Sequence, residues 1–127
     1  MADQKPDTPD QALELLRKAS EGLMYPSESE APFDVFRWKP SGPDSLKDVQ
    51  AHAKKGAAVQ EQPVDEFFNE LQESEDAQRF AELRRKLESV VSGLKVYRVG
   101  KINIDVYLVG KAGSGDWVGL HTSSVET

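Results

Sequence analysis

The chain has 127 residues, with 16 Lys and Arg against 22 Asp and Glu, a net charge of −6 and no cysteine. That length suits one domain able to bury roughly two-thirds of its unfolded surface without staples. The composition excludes disulfides, thiolate metal sites and a cysteine nucleophile, and it disfavours direct nucleic-acid binding, because phosphates call for a basic face.

Residues 1–7 read as a flexible tail, and 8–127 as one domain. "TPDQALELLRKASEGL" carries a full set of helix signals. Thr8 is a candidate N-cap, Pro9 suits the first helical position, and Gln11 completes a capping-box spacing. Ala12, Leu15, Leu16, Ala19 and Leu23 form one apolar stripe, and Gly22 is a stop. An acidic loop, "YPSESEAP", follows. "FDVFRWK" then reads as a strand with Phe33, Val35 and Arg37 on one face and Asp34, Phe36 and Trp38 on the other. Aromatics on both faces place it inside a sheet covered on two sides. "PSGPD" is a turn, residues 45–55 are weakly helical with Gly56 as a stop, and "AAVQEQP" gives no clear reading.

Asp65 is a candidate cap for a short helix whose Phe67, Phe68 and Leu71 share a face. A longer helix is expected from Glu75, with Phe80, Leu83, Leu87, Val90, Val91 and Leu94 as its stripe and Gly93 as terminator. The last third changes period. Residues 95–99 and 102–109 read as a hairpin about Gly100-Lys101, with Ile102, Ile104, Val106 and Leu108 alternating toward one helical layer. Tyr107, Val109 and Trp38 are expected to face the other. "AGSGD" is a turn and "WVGLHTS" a final strand. The order implies helices on both faces of a sheet.

Motifs for catalysis are weak. His52 and His121 lack the spacing of a metal site. "GKAGSG" lacks P-loop order, and no serine lies in G-x-S-x-G. Glu28 and Glu30 form a carboxylate pair with nothing apolar beside them to raise a pKa, so acid–base chemistry is disfavoured. The Arg84-Arg85-Lys86 run reads as a solvated face. Trp38 and Trp117 read as core or sheet-cover residues. The most distinctive feature is acidic: Glu61, Asp65, Glu66, Glu70, Glu73, Glu75 and Asp76 occur with no Lys or Arg between them. No apolar run approaches the ~18 residues of a membrane span, and "MADQKPDTPD" has no apolar segment behind a basic start. A cytoplasmic protein without a membrane segment is expected.

"GLMYPSESEAPFDVFRW", "VYRVGKINIDVYLVG" and the closing "SSVET" resemble the nuclease A inhibitor family (NuiA-like proteins). The resemblance begins in "LLRKASEGL", reaches the last residue and covers most of the chain outside its middle. It implies an α/β fold, a three-layer α/β/α sandwich around a roughly four-stranded sheet. It also implies a non-enzymatic role: inhibition of a sugar-non-specific DNA/RNA endonuclease that carries Mg²⁺ and phosphate-binding arginines. By the same resemblance, Glu28 would engage those arginines and the hydroxyl of Thr127 would reach the partner's Mg²⁺. Glu30, Gln72, Glu75, Asp76 and Glu126 are further partner-binding candidates. The protein would have no cofactor or metal of its own, and it would be a monomer when free. The family's best-known member has a longer loop with a Gln-Asp-Trp triplet before the long helix; here the region is "ELQESEDAQ", without tryptophan, and Ala31 stands where that member has an aromatic. A non-catalytic interaction module of the same fold that no longer binds a nuclease is the alternative.

Overall fold

The computed structural model describes residues 9–26, 30–42, 45–53, 57–113 and 115–125. Helix α1 (Pro9–Ser20) forms as its spacing predicts. Ala12 and Leu16 are fully buried, and Leu13, Leu15 and Ala19 pack beside them. The chain leaves the helix through Gly22 at φ 77°. The Thr8 cap lies outside the described residues.

Strands β1 (Met24–Tyr25) and β2 (Ala31–Pro32) form a small antiparallel ribbon. β3 (Asp34–Trp38) follows, then α2 (Ser45–His52), β4 (Val59–Gln62), α3 (Val64–Glu70), a 3₁₀ turn (Leu71–Glu73) and α4 (Ala77–Val90). β5 (Ser92–Val99), β6 (Asn103–Lys111) and β7 (Trp117–Val125) complete the fold. The main sheet is antiparallel with order β3-β7-β6-β5-β4.

Alternation divides the core into two faces. Val96, Ile104, Val106, Leu108, Val118 and Leu120 pack with Ala12 and Leu16 of α1, the phenylalanines of α3 and the stripe of α4. Tyr97, Val99, Val109 and Trp117 pack on the other side with Val49 of α2, and Phe36, Trp38 and Tyr107 lie against them. The 63–91 connection joins the neighbouring strands β4 and β5, while the 39–58 connection runs from one edge of the sheet to the other.

Several expectations are corrected. The sheet has five strands rather than about four, because the unread "AAVQEQP" holds edge strand β4. β3 lies at the opposite edge rather than inside the sheet, although both of its faces are packed. Pro63 occupies the cap position of α3, and Asp65 falls within the first turn. α4 starts at Ala77, after Ser74 accepts the Asp76 N–H. It stops at Val90, and Gly93 sits in β5 at a register irregularity instead of ending the helix. Ile102 turns out of the core and is 56% exposed. Gly56 lies outside the described residues.

Buried polar groups anchor α2. The Ser41 N–H donates to both oxygens of Asp48 at 3.3 Å, and the Trp117 indole N–H donates to Asp48 Oδ2. Ser45 and Tyr97 share a buried hydroxyl–hydroxyl bond of 2.9 Å. Burial alone would raise the Asp48 pKa; the bonds from Ser41 and Trp117, with His52 nearby, outweigh it and hold the carboxyl below its ordinary value. Among the described residues no helix is long and apolar enough to cross a membrane.

Candidate partner-binding edge

The acidic loop leaves the ribbon after Pro26 and returns at Glu30. Residues 27–29 lie outside the described residues, and so does Glu28. Its two flanks are well defined by packing. Tyr25 stacks on Phe67 of α3 with ring centroids 5.6 Å apart and planes 3° from parallel. Phe33 meets Tyr25 edge-on at 6.3 Å and Phe80 of α4 at 6.0 Å. Tyr25, Phe33, Phe67 and Phe80 are all buried, so the ribbon is held by apolar burial rather than by its two short strands.

The ribbon lies against the far end of β7. β3 and β7 are antiparallel, with Asp34 opposite His121. Chain entering β3 therefore comes from the end at which β7 leaves the sheet. At that point the buried Thr122 hydroxyl donates to the Pro32 carbonyl at 3.0 Å and approaches the Ala31 carbonyl at 3.4 Å. Val125, three residues on, is the last described residue of β7; Glu126 and Thr127 lie outside the described residues.

The candidates that are described are solvent-facing. Glu30 is exposed at the loop's return. Gln72, Glu73, Glu75 and Asp76 are exposed in the turn between α3 and α4, where Gln72 Nε2 donates to Asn69 Oδ1 at 3.2 Å. α3 and α4, which bracket this turn, are the two helices that grip the ribbon through Phe67 and Phe80. Arg79, in the first turn of α4, donates to the Glu21 carbonyl at 2.7 Å and approaches that of Ala19 at 3.5 Å. Those carbonyls belong to the end of α1, which offers no internal partners for them. Arg79 thereby ties the start of α4, just after the acidic turn, to the end of α1.

The chain matches the family model of nuclease A inhibitor-like proteins over residues 10–127. It belongs to the nuclease A inhibitor-like family. No curated protein matches the chain. At the level of the family, membership points to inhibition of a nuclease.

Sequence reasoning missed two residues that build this edge in the family member. The sequence reading places Thr122 only within the final strand and Arg79 only within the long helix expected from Glu75. Alternation did carry a signal for Thr122: it falls on the buried face with Val118 and Leu120, where an unpaired hydroxyl is costly. The Arg84 expectation is also corrected. Arg84 is half-buried, pairs with Asp65 and with Glu88, and lies over the Phe68 ring at 5.6 Å. The hydrogen bond that Arg84 donates to Asp65 is the largest cause of its raised pKa. The histidines pack against neighbours: His52 stacks on Trp38 at 3.9 Å, and His121 bonds Asp105 at 2.9 Å. Among the described residues no three His, Asp or Glu side chains gather to hold a metal ion.

Proposed function

We propose that the protein inhibits a Mg²⁺-dependent, sugar-non-specific DNA/RNA endonuclease by filling its active site. Glu28 takes the place of the scissile phosphate against the nuclease's arginines, and the Thr127 hydroxyl ligates the nuclease's Mg²⁺. Glu30, Glu126 and the Gln72, Glu75 and Asp76 turn surround these anchors. The protein acts as a cytoplasmic monomer, a single domain over 8–127 in the family's α/β/α sandwich, without catalysis and without contacting nucleic acid.

The observation that carries the reading is the Thr122 contact to Ala31 and Pro32. It ties the return of the acidic loop to the strand that leads, five residues later, to Thr127. A loop and a chain end that extend from segments joined in this way can enter one cleft. The chemistry is complementary: a carboxylate accepts two parallel N–H bonds from a guanidinium, as phosphate does. Mg²⁺ is a hard ion that takes a hydroxyl oxygen in place of a water. Pro26 and Pro32 flank the loop and restrict its unbound conformations, which lowers the ordering cost of binding.

DNA digestion by a panel of Mg²⁺-dependent non-specific nucleases tests the proposal. The protein is expected to inhibit at least one of them. Glu28→Ala, or removal of Thr127, is expected to weaken that inhibition by at least about 30-fold at unchanged melting temperature. Inhibition that survives both changes intact overturns the site assignment. The tryptophan-free turn at 70–78 favours one rival, a module of the same fold serving another protein partner. It requires that no nuclease in the panel be inhibited at micromolar concentration.

A further inference from the structure

Among the described residues, two large hydrophobic side chains are exposed: Met24 at 40% and Ile102 at 56%. Ile102 lies in the β5–β6 turn. Its place in the alternating row would have buried it, yet the turn holds it outside. Gly100 takes φ 112°, and a Cβ there would come within 2.4 Å of the Asn103 carbonyl oxygen, so the reversal accepts no side chain. The Gly100 N–H donates to the Ala58 carbonyl at 3.0 Å and fixes the turn to the segment before β4.

The turn is also fixed to the end of β7. Asn103 pairs with Val125 across the β6–β7 ladder. Beside it the surface dips into a shallow hollow lined in part by Asn103, Asp105, Ser123 and Val125. Ile102 is therefore one residue from the partner of Val125, and Val125 is two residues from Thr127. Two residues of chain span at most about 7 Å, a cross-strand pair about 5 Å and one further Cα step 3.8 Å. The sum, roughly 16 Å, is an upper limit on the Cα separation of Ile102 and Thr127. A standard interface buries about 800 Å² on each partner, a disc of roughly 16 Å radius.

We infer that Ile102 is an apolar anchor of the inhibitory interface, seated on an apolar part of the nuclease surface beside its metal-bearing cleft. The inference rests on the proposed entry of Thr127 into that cleft. A cleft that receives the chain end brings its rim onto the neighbouring turn, and Ile102 is what the turn presents. The polar side chains of Asn103, Asp105 and Ser123 line part of the hollow beside this turn, so an apolar contact at Ile102 would have polar neighbours, as interface rims do.

The test measures inhibition constants of wild type, Ile102→Ala and Ile102→Lys against the nuclease panel, with thermal unfolding of each variant. Ile102→Ala is expected to weaken inhibition at least about fivefold, and Ile102→Lys more, since a cation would face a phosphate-binding surface. Melting temperatures should stay unchanged, because the side chain is mostly outside the core. Inhibition by both variants within twofold of wild type overturns the role of Ile102 and leaves the proposed function standing. Failure of wild type to inhibit any nuclease overturns both.

Discussion

The Thr122 hydroxyl joins the ribbon to the strand that closes the fold. Thr122→Val keeps the shape and leaves the Pro32 carbonyl without that donor. It is expected to lower stability by about 1 kcal/mol, measured by denaturant unfolding, and to weaken nuclease inhibition through a looser loop. Val there with unchanged inhibition would mean that the ribbon holds its position by apolar packing alone. Asp48 supports a second residue-level expectation. Its pKa is lowered in the folded protein, so its contribution to stability is present above the unfolded value of about 3.9 and is lost as pH falls through the folded value. Asp48→Asn should flatten the acid limb of the stability–pH curve below about pH 4. At neutral pH it should cost about 2 kcal/mol, because the Ser41 and Trp117 donors would lose a charged acceptor.

At the scale of elements, the ribbon is only two residues deep on each side, and it relies on Tyr25, Phe33, Phe67 and Phe80. Tyr25→Leu removes the stack on Phe67 and is expected to cost about 1 kcal/mol beyond the area lost. Hydrogen exchange should quicken at 24–26 and 30–32 while β5–β7 stay protected, since local opening follows local packing. The ribbon was not legible in the sequence: two-residue strands have no periodicity, and their pairing depends on contacts with distant helices. β4 was missed for a related reason. An edge strand reading Val-Gln-Glu-Gln has one apolar residue in four, so neither alternation nor an apolar run announces it. By contrast α1, α4 and the β5–β6 hairpin were legible because each carries a long stripe or a strict alternation, and β7 because the turn "AGSGD" sets off its run. Ile102 belonged to such an alternation and still left the core, because Gly100 imposes the turn before the pattern can act. Of the candidate edge, the acidic loop and acidic turn could be read from charge. The ribbon's contact with β7 could not, since it depends on sheet order.

For the whole molecule, the net charge of −6 bears on encounter rather than on fold. Association with a nuclease whose active site is built for phosphate should slow as ionic strength rises, because the screening length falls from roughly 30 Å at 0.01 M to 10 Å at 0.1 M salt. Stopped-flow association rates across that range check this, and a salt-independent rate would deny a steering role to the acidic edge. The central claim is that the loop and the end of β7 together occupy the place of a cleavable nucleotide linkage. Steady-state kinetics of DNA cleavage at several inhibitor concentrations test it most directly. The account predicts competition: the apparent KM rises with inhibitor while kcat stays constant, and excess DNA restores full activity. A fall in kcat at constant KM, with DNA and inhibitor bound to the nuclease together, would contradict it.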